Sequence, residues 1–287
     1  RWAALAGAPE RRLAALEAKK GKFKVSDWAT SAGDSVVVGD GSGKTEIQAR
    51  EQPRVQAAVS SSAKPVQQLH LFVKAGPDGE SVGDCPFAHS VRMVLEAKGL
   101  EYVLSPCAPD GKPQWLVDGY DGKMPCLVHD GEAYTESSHI VDYLNFFFQE
   151  PKLAAPMAAA QEATSQFFPA LAKYLKNTDE SADPDLREAL ETELTKIDMH
   201  LQDLQAQHDT EDLFIAGPTF GISDCALAPK LYHMDVAAKH FKNFQIPTEC
   251  TALEKYLAKV FAHPAFAKTQ YPEDVVLWGW GNARGGV

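Results

Sequence analysis

Between residues 66 and 150 the apolar positions change their spacing several times, which predicts alternating strands and helices. Asp130-Gly131 separates two short apolar runs and is a strong signal for a tight hairpin turn. Continuous or alternating apolar runs predict strands at 69–74, 101–105, 126–129 and 132–134, and helical spacing predicts helices at 86–99 and 137–148. This region therefore reads as a mixed α/β unit.

The pattern after residue 150 is helical throughout. Pro151 and Pro156 mark a boundary, and leucines recur at helical spacing from 185 to 207. Further helices are predicted at 225–240 and 251–262. Trp278 and Trp280 are expected to cover one edge of a cleft or to pack on the helical half.

Residues 1–65 differ in kind from the rest, and we call them the N-terminal arm. A helix is predicted for 2–20, a turn at 43–45 and a linker at 60–65, and the remainder is expected to be irregular. The predicted domains are therefore the arm 1–65, a thioredoxin-like domain 66–150 and an all-helical domain 151–287. An α/β thioredoxin-like domain followed by an all-α domain is the fold class that these patterns predict.

The charge and the cysteine content of the chain argue against several classes of function. The net charge is −11, and the arm alone carries eleven Lys or Arg against seven Asp or Glu. The acidic body argues against nucleic-acid binding, and no apolar run approaches the length of a membrane span. The five cysteines are scattered without paired spacing, so we expect no disulfide framework and no metal site. We expect the protein to occupy a reducing compartment.

Cys85 carries the strongest chemical signal. It follows a predicted strand and a polar loop, and Pro86 begins the next predicted helix. The dipole and free N–H groups of a helix N-terminus favour a thiolate over a thiol. Ala88 stands where a dithiol motif would place a second cysteine. We therefore expect a single redox thiol that needs an external thiol as reductant, although a buried core cysteine is the alternative.

Several motifs then suggest a family. They are Gly83-Asp84-Cys85-Pro86-Phe87, Gly122-Lys123-Met124-Pro125, Glu136-Ser137, Phe214-Ile215-Ala216-Gly217 and Leu227-Ala228-Pro229-Lys230-Leu231-Tyr232-His233. Over about residues 68–280 the chain resembles plant-type dehydroascorbate reductases of the glutathione-transferase superfamily, with chloride-intracellular-channel proteins as more distant relatives. The run that ends at His233 is the most specific of these motifs.

The resemblance implies glutathione as the reducing co-substrate, dehydroascorbate as the oxidant and no metal. It implies Cys85 as the nucleophile, with Asp84 and Lys74 assisting at the dehydroascorbate pocket. It implies a glutathione-binding set formed by Lys123, Met124, Pro125, Glu136 and Ser137. Within that set Pro125 is expected in cis, and Ser137 is expected to be the N-cap of the helix that follows.

The chain departs from the family after Phe87, where relatives carry Ser/Cys-Gln-Arg and this chain has Ala88-His89-Ser90. The missing Arg removes a positive charge near the thiol and is expected to raise its pKa, while His89 could partly replace that charge. A second departure is Gly221, which occupies the N-cap position before Asp224 and is a tolerated cap.

Two alternatives to an enzyme stay open at this point. The first is a non-catalytic subunit that docks through its basic arm on a larger photosynthetic or organellar complex. The second is a membrane-inserting, channel-like relative, which Arg92, Glu96 and Lys98 in the first predicted helix oppose. The arm's Ala, Ser, Arg and Lys content favours a chloroplast location, with the cytoplasm as the alternative.

Overall fold

The computed structural model describes residues 68–285, which form a four-stranded sheet and a larger set of helices. The predictions for the N-terminal arm lie outside the described residues. The strands are Leu69–Lys74 (β1), Tyr102–Cys107 (β2), Cys126–His129 (β3) and Glu132–Thr135 (β4). The sheet order is β2-β1-β3-β4, with β1 parallel to β2 and antiparallel to β3, and β3 antiparallel to β4.

Helices lie between β1 and β2 and between β2 and β3, and they make up most of the described chain after β4. They are Pro86–Ala97 (α1), Gln114–Tyr120 (α2), Ser137–Phe147 (α3), Ala158–Thr164 (α4), Phe167–Lys176 (α5), Asp183–His208 (α6), Ile222–His233 (α7), Lys239–Lys242 (α8), Thr251–Ala262 (α9), Pro264–Ala267 (α10) and Glu273–Ala283 (α11). A 3₁₀ turn at Glu180–Ala182 precedes α6, and a π turn at Met234–Ala238 joins α7 to α8. The predicted thioredoxin-like half and all-helical half are confirmed, while the exact boundaries at 66, 150 and 151 stay a prediction.

Apolar periodicity explains most of these elements. Leu69, Leu71 and Val73 are buried on one face of β1 and Phe72 is buried on the other, as expected for a strand covered on both faces. The Asp130-Gly131 turn between β3 and β4 has positive φ at both residues, as the hairpin prediction requires. The long helix α6 extends one or two residues beyond each end of its predicted range.

Three elements differ from the sequence predictions. Strand β2 continues through Pro106 to Cys107, because it is an edge strand where a missing N–H is tolerated. Helix α2 was not predicted, since it is short and buries only Trp115 and Leu116. The single helix predicted at 225–240 is instead α7, a π turn and α8, and Pro229 lies inside α7, where it removes a backbone donor.

One core cluster joins the two halves. Helix α1 packs against α7 and α10, so its buried residues contact the helical half. The N-terminus of α7 is secured by the buried Asp224 carboxylate, which accepts from the N–H groups of Gly221 at 2.8 Å and Ile215 at 3.0 Å. Gly221 therefore serves as the N-cap, as the sequence suggested. No helix within residues 68–285 has the length and apolarity to cross a bilayer.

Candidate active site

One end of the sheet collects every candidate site residue. Lys74 is the last residue of β1, and β3 begins antiparallel beside it, with Cys126 opposite Phe72. Cys126 is also opposite Thr135, the last residue of β4. The segments 123–125 and 136–137 therefore flank the same end of the sheet as Lys74.

Gly83 brings the cysteine loop to this end. Its N–H donates to the Lys74 carbonyl oxygen at 2.8 Å. A Cβ on Gly83 would lie 2.5 Å from the Ala75 carbonyl oxygen, so only glycine allows the two backbones to approach this closely. Asp84 and Cys85 are thereby held against the end of β1.

Cys85 is the N-cap of α1, directly before Pro86 at the first helical position. It is partly exposed, whereas the other four cysteines are buried: Cys107, Cys126, Cys225 and Cys250. All five are free thiols. Cys85 is therefore the cysteine that a solute can reach.

The electrostatics at Cys85 differ from the expectation of a favoured thiolate. Burial raises the pKa of the Cys85 thiol, and this effect outweighs the N–H groups of Ala88 and Phe87, which lower it. The Asp84 carboxylate adds to the rise and the Lys74 ammonium opposes it. The thiolate prediction was thus wrong for the free protein, because a helix N-terminus does not offset the loss of water around the sulfur.

Lys74 and Asp84 form an ion pair beside Cys85. Lys74 Nζ lies 2.7 Å from Asp84 Oδ1, and it also lies 5.0 Å from the ring centroid of Trp278 in α11. Gly279 gives the Asp84 carboxylate its space, because a Cβ there would lie 1.7 Å from Asp84 Oδ2. Helix α11 therefore closes over the ion pair, as expected for Trp278 at the edge of a cleft.

The proposed glutathione-binding segments have unusual backbone geometry. The Met124–Pro125 peptide bond is cis, as predicted, and Glu136 has a φ of 69°. A non-glycine residue with a positive φ, such as Glu136, is of the kind that concentrates at binding sites. The Ser137 prediction was wrong in one respect: Glu136 is the N-cap, and Ser137 is the first residue of α3, because the turn is made at Glu136. Lys123 Nζ lies 3.6 Å from Glu136 Oε1, and both side chains are exposed.

A hydrogen-bond chain from the helical half ends on the cysteine loop. Trp280 Nε1 of α11 lies 2.9 Å from His233 Nδ1 at the end of α7. His233 Nε2 lies 2.6 Å from the hydroxyl of Tyr271, which lies 3.1 Å from the Asp84 carbonyl oxygen. This chain of side chains, which we call the Trp280–Tyr271 relay, ties three helical-half residues to the residue before Cys85.

The hydrogen bonds of the relay all donate in the same direction, from Trp280 toward Asp84. Trp280 can only donate, so His233 accepts at Nδ1 and carries its proton at Nε2. Burial lowers the pKa of His233 to about 4, so its ring is neutral near pH 7. The Nε2–H then donates to the Tyr271 oxygen, and the Tyr271 hydroxyl donates to the Asp84 carbonyl. Every member of the relay is satisfied in this one arrangement.

His89 does not replace the charge that the missing Arg removes. Its ring is buried in α1, and Nε2 lies 3.0 Å from the Thr269 hydroxyl. Burial holds the pKa of His89 well below its usual range, so the ring is neutral. Arg92, one turn further along α1, is also buried and adds to this effect. The expectation that His89 supplies positive charge to the thiol was therefore wrong.

Comparisons with known proteins identify the family. Sequence profiles of the glutathione S-transferase N-terminal and C-terminal domains match residues 81–152 and 184–259. The Arabidopsis thaliana protein named Glutathione S-transferase DHAR2 is 34% identical over 214 residues, which are 74% of this chain and 96% of the relative. The chain belongs to the dehydroascorbate reductases of the glutathione S-transferase family.

Two further matches agree with this assignment. A rice protein (Oryza sativa subsp. japonica), named probable glutathione S-transferase DHAR2, chloroplastic, is 31% identical over 229 residues, covering 78% of this chain and 80% of the relative. The crystal structure of Chlamydomonas reinhardtii dehydroascorbate reductase aligns with a TM-score of 0.66 and 33% identity, over 75% of this chain and 98% of that one. The resemblance stated from the motifs is thus confirmed.

For this dehydroascorbate reductase, sequence reasoning named candidate residues that lie within short motifs, and it did not name those that reach the candidate site from the helical half. Tyr271 had no motif, and Gly279 was overlooked between the two tryptophans. His233 was quoted only as part of the family run. Within residues 68–285 no group of three or more His, Cys, Asp or Glu side chains is arranged to hold a metal ion.

Proposed function

We propose that this chain reduces dehydroascorbate to ascorbate with two molecules of glutathione, and that Cys85 is its single catalytic thiol. The observation that carries the proposal is the placement of Cys85. It is the one cysteine of the five that is not buried, and it lies at a helix N-terminus beside the Lys74–Asp84 ion pair. The names of the relatives support the same substrate and reductant.

The proposed first step oxidises the sulfur. The Cys85 thiolate gives two electrons to dehydroascorbate, which takes up one proton released from water and leaves as the ascorbate monoanion. Water supplies the oxygen of the resulting sulfenic acid. Lys74 Nζ, oriented by Asp84 at 2.7 Å, is proposed to stabilise the negative charge that develops on the substrate oxygens.

Two glutathione molecules then regenerate the reduced Cys85. The first condenses with the sulfenic acid, loses water and forms a mixed disulfide on Cys85. We propose that Lys123, the Met124 backbone, Pro125, Glu136 and Ser137 hold this molecule, since they share the sheet end with Cys85. The second glutathione attacks the mixed disulfide, so glutathione disulfide forms and Cys85 departs as thiolate.

The raised pKa of Cys85 sets a requirement on this cycle. Because its pKa is raised, Cys85 is mainly protonated in the free protein, and we propose that substrate binding promotes its deprotonation. The alternative of a non-catalytic docked subunit has no support from the relatives' names, and its arm lies outside the described residues. We therefore propose the enzyme.

Glutathione-dependent ascorbate formation tests the proposal. Cys85→Ser should lower kcat/KM by about three orders of magnitude or more, because the nucleophile is lost. Cys107→Ser is the matched control, since Cys107 lies opposite Lys74 in the sheet but is buried, and it should retain activity. Retention of full activity by Cys85→Ser would overturn the proposal.

We also propose a chloroplast location, which the name of the rice relative supports. A fluorescent fusion of the full-length protein in a plant cell should coincide with chlorophyll fluorescence. A diffuse cytoplasmic signal would contradict this location and would leave the chemistry of Cys85 unaffected.

A further inference from the structure

Lys230 of α7 lies in an aromatic corner close to the cysteine loop. Its Nζ is 5.9 Å from the ring centroid of Phe87 and 5.9 Å from that of Phe168. The two rings meet edge to face, with centroids 5.8 Å apart. Phe87 is 44% exposed and follows Cys85 by two residues, so this corner opens to solvent next to the reactive sulfur.

The charge of Lys230 has no partner of opposite sign within residues 68–285. No carboxylate oxygen there lies within 4.0 Å of its Nζ, in contrast to Lys74, which is paired with Asp84. Lys230 is partly buried, and burial lowers the pKa of its ammonium. A partly buried cation without an anion is unfavourable, so an incoming anion gains free energy by pairing with it.

The chemistry of the two substrates decides which one fits this corner. Dehydroascorbate is a neutral lactone, whereas glutathione carries two carboxylates. The first glutathione is proposed above to bind at the sheet end of the site, at the segments 123–125 and 136–137. The second glutathione therefore needs an anion site of its own, and the helical half offers Lys230.

We propose that Lys230 receives a carboxylate of the second glutathione, the molecule that resolves the mixed disulfide on Cys85. This inference rests on the proposed function. The thiolate of the incoming glutathione forms a sulfur–sulfur bond to the bound glutathione. The bond between the sulfur of the bound glutathione and Cys85 Sγ breaks, and its electron pair leaves with Cys85. No further oxidant or reductant is needed for this exchange.

The test isolates this single step in the full chain. The reduced protein is incubated with glutathione disulfide to place one glutathione on Cys85, and the adduct is verified by mass spectrometry. Its release is then timed with glutathione, which is anionic, and with 2-mercaptoethanol, which is neutral. Lys230→Met should slow release by glutathione about tenfold, as expected for one charge-assisted contact, and leave release by 2-mercaptoethanol unchanged.

Two further variants complete the design. Lys230→Arg keeps the charge and should retain most of the rate with glutathione. Lys196→Met removes an exposed lysine of α6 that pairs with Glu193, and it should change neither rate. An equal slowing with both thiols, or no slowing with glutathione, would overturn the inference. Failure to form any adduct on Cys85 would instead contradict the proposed function.

Discussion

Gly279→Ala is the substitution whose effect on the site follows most directly from the geometry. A Cβ at this position would lie 1.7 Å from Asp84 Oδ2 and 2.2 Å from Asp84 Cγ, where real contacts keep at least 3.0 Å. We therefore expect the carboxylate to move by more than an ångström and to lose its 2.7 Å contact with Lys74. A displacement of about 1 Å at a reacting centre costs about a hundredfold in rate.

Gly281→Ala is a matched control on the same helix. A Cβ on Gly281 would meet no atom within 4 Å beyond its own stretch of helix, so the change adds only helix propensity. We expect full activity and a gain of about 0.5–1 kcal/mol in the free energy of unfolding. Gly279→Ala should instead lose about 1–3 kcal/mol through overpacking, partly offset by the same propensity gain.

The assay is kcat/KM for dehydroascorbate at saturating glutathione, with urea unfolding of each variant. A double-mutant cycle identifies the cause, because Asp84→Ala removes the atoms that the new methyl group meets. In that background Gly279→Ala should cost little further activity. Gly279→Ala activity within about twofold of the natural protein would refute the role given to the Asp84 carboxylate.

Two other predictions concern the Trp280–Tyr271 relay. Tyr271→Phe leaves the Asp84 carbonyl and His233 Nε2 without their partner, so the free energy of unfolding should fall by about 1–3 kcal/mol and kcat/KM should fall with it; an unchanged urea midpoint would contradict the relay. Because burial lowers the pKa of His233 from 6.5 to about 4, its contribution is present above pH 6.5 and is lost as the pH falls toward 4. His233 should account for about 2 kcal/mol of the loss in unfolding free energy between about pH 7 and pH 5, to which His89, whose pKa burial also lowers, adds a share of its own. His233→Asn should reduce the loss seen by urea unfolding, and an equal loss in the variant would contradict the assignment.

Local patterns in the sequence predicted most of the sheet elements that flank the candidate site. Strand β1 was predicted with its observed ends because Leu69–Lys74 is a mostly apolar run, interrupted by His70, that ends in a charge. The Asp130-Gly131 turn also follows from residues next to each other in the chain, whereas the cis bond before Pro125 was expected from the family resemblance. Helix α2 escaped prediction because Asp118 and Gly119 interrupt its short apolar stretch.

The residues that the helical half contributes to the candidate site could not be predicted from local sequence patterns. Tyr271 lies 187 residues after Asp84 in the chain, and no periodicity indicates that its hydroxyl meets that carbonyl. The pKa of Cys85 depends on how much water the folded helices exclude, so a helix N-terminus alone predicted the wrong direction. His89 was misjudged for the same reason, since its burial arises from packing against Phe266 and Tyr271.

The most direct test of the central claim is to find where glutathione becomes attached during turnover. The natural protein is mixed with dehydroascorbate and limiting glutathione, quenched with acid, digested and analysed by mass spectrometry. The account predicts one glutathione per chain, on the peptide that contains Cys85. An adduct on any of the four buried cysteines, or ascorbate formation without any adduct, would contradict it.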